Sequence, residues 1–431
     1  MRLNYIVACL LFPSVLLAEQ VSKSLPDPLT LDYVLSLASD NLHYDVLQAD
    51  AMIVQADARL QQAESAYALE ADINIKARWA DPSSLAFDQS KEDHSSYLSV
   101  RKPLYDFGQT ASNISAAEIE KQSVVANLEY QLGQRKIDIA RAFFNVLLAD
   151  YQERWDNEQV VITWVNHEAE KDRHALGEIS DVELLKIRTR LELLESQRSI
   201  SRSQQYSSRV NLAEVINRPG QLSSNLELPQ LTYDQRPLPD YDSLVNQLET
   251  FNQPLKLQFA KVDAAEKRLQ SAQKQNRPVL SAEVTMSEHE RESAARNDWA
   301  AELTLTVPLL EHQGMQAKIA RARSQWLSER ALLLKQASAT RQALLNLCQD
   351  IKLLGVQKKQ LTTEMQYHEL ELDRNRTLYE MEVATNFGTA MVAISETRYK
   401  QLKTDFELAL AWMNLELMFN SQINFDEADN E

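Results

Sequence analysis

Glycine, proline and cysteine are scarce in this chain of 431 residues, which has 7 glycines, 12 prolines and 2 cysteines. So few glycines leave no loop that could cradle a phosphate, and the sequence has no Walker motif, dinucleotide-binding fingerprint or nucleophile elbow. Its 7 histidines are scattered without the spacing of metal ligands. We therefore expect no catalytic residues, no cofactor and no metal site, and we do not expect an enzyme.

The first 18 residues have the features of a signal peptide. One positive charge, Arg2, precedes an apolar run from Leu3 to Leu17, and the small residue Ala18 follows. The run is too short to span a membrane, so we expect cleavage near Ala18 and export. The residues before Cys9 loosely resemble the cleavage box of a lipid-bearing cysteine, but cleavage there would leave an apolar segment shorter than the ~7 residues that signal peptides need. Lipidation of Cys9 is therefore not expected.

Disulfide bonds and membrane-spanning helices are not expected either. Removal of the signal peptide leaves Cys348 as the only cysteine. The mature chain has no run of the ~18 apolar residues that a membrane helix needs. The formal net charge of −17 argues against a nucleic-acid partner, which favours a basic face, and is compatible with a water-filled, acidic lumen. A soluble periplasmic protein and a protein with membrane-inserted strands both stay open at this point.

Two long tracts without proline are the most informative feature of the sequence. No proline occurs between Pro103 and Pro219 or after Pro308, and both tracts are rich in helix-forming residues. Because an interior proline costs a helix about 3 kcal/mol, such tracts predict very long helices. At about 1.5 Å per residue, a helix from Gln109 to Leu176 would be about 100 Å long, too long for a compact globular domain.

The first tract also shows a coiled-coil seam, with apolar residues at alternating steps of three and four and Arg135 as the exception. The seam residues are Val125, Leu128, Leu132, Ile139, Ala142, Val146 and Ala149. Each tract breaks once, at Gly177 and near Thr385–Gly388, before a second helix. Each half of the chain is therefore expected to form a helical hairpin.

The two halves are internal repeats. The segment ADARLQQA at residues 56–63 returns as AEKRLQSA at 265–272, and NLAEVIN at 211–217 returns as NLELMFN at 414–420. Matches in the same order at a nearly constant offset indicate duplication. We predict a signal peptide (1–18), a first helix-strand-strand-helix-helix repeat (19–219), a linker (220–240), a second repeat (241–420) and a polar C-terminal tail (421–431).

Between the helical tracts of each repeat, short segments alternate between apolar and polar residues, which indicates β-strands with two different faces. Such strands also occur in soluble sheets, but the charged polar face, the polar connecting loops and the export signal favour insertion into a membrane. The residues predicted to face lipid are Ile73, Ile75, Trp79, Leu98, Val100, Val284, Leu303, Leu305 and Val307. The residues predicted to face a wet lumen are Asn74, Lys76, Arg78, Glu283, Glu302 and Thr304.

Four strands cannot close a membrane barrel, and open sheet edges are not tolerated in lipid, so subunits must share the barrel. Two protomers would give 8 strands with a filled interior, whereas three would give 12 strands that can enclose a channel. We predict a mainly α protein with a small transmembrane β part. Its duplicated long-helix hairpins form an α-barrel, and four strands per protomer enter a shared 12-stranded trimeric barrel.

The order of segments and several motifs resemble the TolC-type outer-membrane efflux protein family. In that family the second strand ends in a Pro-Leu-aromatic-Asp-x-Gly segment that enters a long helix. The matching residues are Pro103, Leu104, Tyr105, Asp106 and Gly108, and in the second repeat, with one extra residue, Pro308, Leu309, Leu310, Glu311 and Gly314. ARAFFNVLLA at 140–149 and LGEISDVELLKIR at 176–188 are similar to the mid-helix and hairpin-tip signatures.

The resemblance implies a homotrimer in the outer membrane of a Gram-negative bacterium, with a helical tunnel that extends into the periplasm. It also implies contact with outer-membrane lipid, a periplasmic adaptor protein, and an inner-membrane pump or secretion ATPase. The chain would then be the passive exit duct of a tripartite efflux or type I secretion system.

Asp181 and Glu183 match the acidic hairpin-tip positions of the family, so the resemblance implies that they lie at the channel entrance. Phe387 and Ala390 stand where the second repeat often has acids. A solvated first helical turn therefore stays an alternative role for Asp181 and Glu183.

The alternative class of protein is a periplasmic coiled-coil adaptor or scaffold without a membrane barrel. An adaptor would have one hairpin and flanking glycine-rich β modules, whereas this sequence predicts two hairpins and has few glycines. The exported substrate cannot be read from the sequence, because a tunnel wall needs only polarity and size.

Overall fold

The computed structural model describes residues 25–40, 42–231, 233, 236–291, 297–309, 313–381 and 387–420. The predicted signal peptide with Cys9 and the predicted C-terminal tail lie outside these ranges. Leu310 and Glu311 of the second strand-to-helix motif, part of the predicted linker, and residues 382–386 of the predicted second hairpin tip also lie outside them.

The two halves of the chain have the same order of elements. In the first half these are α1 (Leu31–Ser36), α2 (Tyr44–Glu64), β1 (Glu70–Lys76), β2 (Ser95–Tyr105), α3 (Gln109–Ala175) and α4 (Asp181–Val215). In the second half they are α5 (Tyr241–Phe251), α6 (Gln253–Lys274), β3 (Val279–His289), β4 (Trp299–Thr306), α7 (Gln313–Glu380) and α8 (Phe387–Met418). This order agrees with the predicted duplication, whose residue boundaries stay a prediction.

The long helices α3 and α7 contain 67 and 68 residues. At about 1.5 Å per residue each is about 100 Å long, as the proline-free tracts predict. The shorter helices α4 and α8, with 35 and 32 residues, pack back along α3 and α7 and complete two hairpins. Among the described residues, no helix combines the length and the apolarity that a membrane-spanning helix needs.

Two apolar cores hold the hairpins together. The first contains Phe143 and Phe144 of α3 together with Phe406 of α8, and the rings of Phe144 and Phe406 stack with their centroids 4.4 Å apart. The second contains Leu344 of α7 and Trp412 of α8. Because α8 contributes to both cores, its apolar residues join the two halves of the chain.

The seam along α3 is buried in its middle part, where Ile139 and Ala142 belong to the first core. Arg135, the exception in the seam, is also buried, with 4% of its surface exposed. Its Nε donates a hydrogen bond to the carbonyl of Ala38 at 2.7 Å, and its Nη1 lies 3.6 Å from Asp45 Oδ2. Burial, which disfavours the charged form, lowers the pKa of Arg135. Arg135 therefore connects the turn after α1 to α3, which explains a charged residue in the apolar seam.

The four strands form one antiparallel sheet in the order β1-β2-β3-β4. The pairing of β2 with β3 joins the two repeats, and β1 and β4 are edge strands without a further partner in the described part of the chain. Every strand is connected to a helix at one end of the sheet and to a loop at the other. The sheet therefore extends the helical body at one end.

Candidate functional site: a two-sided sheet on helical hairpins

The register sorts the side chains of the sheet onto two sides, because residues directly opposite each other in an antiparallel pair share a side. Ile73 lies opposite Leu98, Leu98 opposite Met286, and Met286 opposite Trp299. One apolar row thus crosses all four strands. The remaining apolar residues on this side are Ala71, Ile75, Val100, Leu280, Ala282, Val284, Ala301, Leu303 and Leu305. Lys102 is on the same side, opposite Ala282.

Nothing in the described chain covers this apolar side. Ile75 is 81% exposed, Leu303 68% and Leu305 58%. Monomeric soluble proteins rarely expose a contiguous apolar patch of more than a few hundred Å². An uncovered apolar side that runs across four strands therefore indicates a surface that contacts another apolar phase or partner.

The other side of the sheet is polar. It carries the predicted lumen residues that lie within the strands, namely Asn74, Lys76, Glu283, Glu302 and Thr304. Arg101 Nη2 lies 3.0 Å from Glu283 Oε2, and Ser99 Oγ donates a hydrogen bond to Glu283 Oε1 at 2.8 Å. Glu302 lies opposite Glu283. The two-sided pattern is therefore present in the structure, while its orientation toward lipid and lumen stays a prediction.

Three predicted residues lie outside the strands to which the sequence pattern assigned them. β1 ends at Lys76, so Arg78 and Trp79 belong to the following loop, and β4 ends at Thr306, before Val307. The physical reason at the end of β1 is a competing hydrogen bond. The backbone N–H of Arg78 donates to His94 Nδ1 at 3.2 Å instead of continuing the ladder, and Trp79 retains one isolated bridge to Glu92.

Loops from both repeats meet at the end of the sheet away from the helices. Glu92, His94 and Glu290 are close enough to be considered as metal ligands. However, His94 Nδ1 accepts the hydrogen bond from Arg78, so the neutral ring carries its hydrogen on Nε2, which lies 3.8 Å from Glu290 Oε2. Because Nε2 needs a free lone pair to bind a metal, this arrangement fits a contact between loops better. Sequence reasoning missed this contact because no local pattern relates the two repeats' loops.

The junction between β2 and α3 explains the strand-to-helix motif. Asp106 is buried, and its carboxylate accepts hydrogen bonds from Tyr67 Oη at 2.6 Å, Gly108 N at 3.1 Å and Thr110 N at 2.7 Å. Gly108 has a φ of +87°, a left-handed conformation that favours glycine. Burial opposes ionisation of Asp106, but these hydrogen bonds outweigh it and lower the pKa of the carboxyl group. Burial and the bond to Asp106 also raise the pKa of Tyr67 to about 12.

The first hairpin tip lies between α3 and α4, where Gly177 has a φ of +76°. Ser180 and Glu183 form a capping box at the start of α4: Ser180 N donates to Glu183 Oε2 at 2.9 Å, and Glu183 N donates to Ser180 Oγ at 3.3 Å. The hydrogen bond from the backbone of Ser180 lowers the pKa of Glu183. His174 Nε2 lies 2.6 Å from Asp181 Oδ1, on a side chain that is 95% exposed. Glu183 thus has a local structural role, which the pattern Ser-x-x-Glu could have revealed, and its role at an entrance stays a prediction.

The second hairpin tip is described up to Met381 and again from Phe387. The rings of Tyr379 and Phe387 lie 6.4 Å apart, between the end of α7 and the start of α8. A Cβ atom on Gly388 would lie 2.7 Å from Ile162 Cδ1 of α3. The start of α8 is therefore packed closely against the first hairpin, and Ala390 in the same turn is buried.

Comparisons with known proteins agree with this architecture. Residues 38–218 match the model of the outer membrane efflux protein family. A comparison with curated proteins gives no significant match.

Solved structures with similar folds come from several organisms. The outer membrane protein VceC from Vibrio cholerae has a TM-score of 0.69 at 13% identity and covers 88% of this chain and 95% of its own. The CmeC outer membrane channel from Campylobacter jejuni has a TM-score of 0.73 at 13% identity and covers 92% and 87%. The MtrE outer membrane channel from Neisseria gonorrhoeae, in its open state, has a TM-score of 0.68 at 14% identity and covers 90% and 88%.

Residues 38–218 thus match the outer membrane efflux protein family, and the chain as a whole shares the fold of these outer-membrane proteins. The family resemblance and the predicted mainly α fold, with long-helix hairpins and four strands per chain, are confirmed, while the shared 12-stranded trimeric barrel stays a prediction. The similar structures are outer-membrane proteins, in agreement with the predicted location.

Proposed function

We propose that this chain is one protomer of a trimeric exit duct in the outer membrane of a Gram-negative bacterium. The duct passively exports substrates that a periplasmic adaptor and an inner-membrane pump or secretion ATPase deliver. The observation that carries the proposal is the exposed sheet with one apolar side, one charged side and two open edges.

The open edges support an assembly through the strands. In lipid, each unpaired backbone N–H or C=O group at an edge would cost several kcal/mol, roughly the cost of a buried unsatisfied polar group. Pairing β4 of one protomer with β1 of the next removes both edges when the ring closes. Two copies would give a barrel with a filled interior, whereas three give 12 strands and room for a channel. The apolar side then faces lipid and the side with Glu283 and Glu302 faces the lumen.

The helices support a tunnel that leads away from this barrel. Each long helix starts at a strand, extends for about 100 Å and reverses at a tip, so the tips are farthest from the sheet. We therefore place the periplasmic entrance and the adaptor contact at residues 177–185 and 383–390. Asp181 and Glu183 would give this entrance a negative charge, which favours cations over anions.

The oligomeric state of detergent-solubilised protein tests the proposal. Light scattering should give the mass of a trimer, and the same preparation should form conducting pores in planar bilayers. A periplasmic adaptor or scaffold would instead be recovered from the soluble periplasmic fraction and give no conductance. A stable monomer with no conductance would overturn the proposed duct.

A further inference from the structure

A groove of about 550 Å³ lies between α7, α8 and the segment that precedes α5. Its floor is apolar: Val356, 65% exposed, lies beside Leu408 and Trp412 of the second core, which are 4% and 1% exposed. Its rim is basic, with the four cationic side chains Arg236, Lys352, Lys358 and Lys359. An apolar floor within a basic rim is unusual on a chain with a net charge of −17.

Two of these cations already have partners and two do not. Arg236 forms an ion pair with Glu416 of α8, and Lys358 Nζ lies 2.8 Å from Asp405 Oδ1. Lys352 and Lys359 are exposed, and no carboxylate in the described ranges pairs with either. The groove therefore offers two free positive charges beside an apolar surface.

The first half of the chain shows what covers the corresponding core. Helix α4 is followed by Asn217 with a φ of +56°, and the chain then turns back so that Leu226 and Leu231 pack against the first core. Helix α8 is followed by Asn420 with a φ of +51°. The sequence after Asn420 is thus the counterpart of the segment that covers the first core.

We propose that the C-terminal segment, residues 421–431, occupies this groove. Its sequence, SQINFDEADNE, has four acidic residues, no basic residue and two large apolar residues, Ile423 and Phe425. The apolar side chains match the floor, and the carboxylates match Lys352 and Lys359. Charge complementarity and the duplicated helix end thus favour this segment over an unrelated partner.

The segment is long enough to reach both lysines. Eleven extended residues span up to about 36 Å. From residue 351 to residue 362, the part of α7 that lines the groove, the helix rises only about 17 Å. Glu416, within one turn of the end of α8, already contacts the rim residue Arg236. The segment would thereby clamp α7 to α8 at the level of the second core.

Carbodiimide cross-linking of the full chain, read out by peptide mass spectrometry, tests the proposal. This reagent joins a lysine amine to a carboxylate only when the two are in contact. We expect links from Lys352 or Lys359 to acids in residues 426–431, and none to Lys318, an exposed lysine elsewhere on α7. The Lys358–Asp405 pair is the internal positive control. No link to the C-terminal segment, while the control link forms, would overturn the proposal.

Mixing chains of light and heavy isotope composition distinguishes the possible occupants. Links within one chain support the proposal. Links found only between light and heavy chains would overturn it, because a second copy would then fill the groove.

Three variants separate docking from chance encounters of opposite charges. F425D should lower the yield of links to Lys352 and Lys359 by roughly tenfold or more, since it removes the burial of one large apolar side chain, whereas F425L should preserve them. The combined charge swap K352E, K359E, D426K and E427K should restore links with the two reactive groups exchanged. Unchanged yield in F425D, or no links after the charge swap in a chain that still forms the control link, would contradict docking in the groove.

Discussion

Val284 and Thr285 are neighbours in the middle of β3 and provide a sharp test of the two-sided sheet. Val284 lies opposite Val100 and Ala301 on the apolar side, whereas Thr285 lies opposite Ser99 on the polar side. The substitutions V284R and T285R therefore place the same charge at nearly the same position along β3, but on opposite sides of the sheet. Any general effect of arginine on expression or export is common to both variants.

The expected difference in free energy is large if the apolar side faces lipid. Arginine at the midplane of a membrane strand costs about 2 to 4 kcal/mol, or roughly 6 to 12 kcal/mol for the three copies in a trimer. Arginine on the lumen side stays in contact with water, so we expect no comparable cost there. In a soluble sheet, by contrast, Val284 would be an ordinary surface residue that is 40% exposed, and its substitution would change stability by only about 0.5 kcal/mol.

The assay is the fraction of each variant that is recovered from outer membranes as a trimer, with V284I as the control for a change of side-chain shape. V284R should lose most of its trimer, while T285R and V284I should remain near the unsubstituted level. The pair L305R and T304R repeats the comparison on β4. Equal behaviour of V284R and T285R would show that the sides of the sheet are misassigned or that the sheet is soluble.

Three further predictions concern the entrance, the strand-to-helix junction and the helix packing. E183Q keeps the length and hydrogen-bonding capacity of the side chain but removes its charge, so it should reduce cation preference in planar-bilayer recordings; unchanged selectivity would leave Glu183 with its capping role alone. D106N should destabilise the fold by about 1 to 2 kcal/mol near neutral pH. The folded-state pKa of Asp106 is lowered from 3.8, so the stabilisation by its carboxylate is present above about pH 3.8 and is lost as the pH falls through the folded-state pKa. The free energies of unfolding of D106N and the unsubstituted protein should therefore converge in acid. G133A would place a Cβ 2.3 Å from Leu417 Cδ1, so it should lower the free energy of unfolding, measured with denaturant, by about 1 to 3 kcal/mol. In the control G355A the added Cβ meets nothing within 4 Å, so this variant should stabilise α7 by about 0.5 to 1 kcal/mol. Equal effects of the two substitutions would contradict the packing of α3 against α8.

The features that the sequence predicted are those with a local physical cause. The absence of proline between Pro103 and Pro219 permits a single long helix such as α3, and strict alternation from Leu280 to Met286 separates the two sides of β3. Both patterns depend only on the neighbours of each residue in the chain.

The features that the sequence did not predict depend on contacts between distant segments. β1 ends early because the side chain of His94, from the far side of the loop, accepts the hydrogen bond of Arg78. Arg135 is tolerated in an apolar seam because the carbonyl of Ala38 happens to face it. The groove beside Lys352 requires two helices and a linker to meet, which no periodicity along one of them reveals.

The nearly equal lengths of α3 and α7 limit how such a chain can change during evolution. The two helices differ by one residue in 67, although their sequences are only distantly related. A single inserted residue would move the hairpin tip by about 1.5 Å and turn everything beyond it by about 100° around the helix axis. One hairpin cannot be lengthened alone without misaligning its tip and exposing its seam. The two long helices therefore have to change length together, in steps of about seven residues that restore the seam. Each such step would change the distance from the sheet to the hairpin tips by about 10 Å.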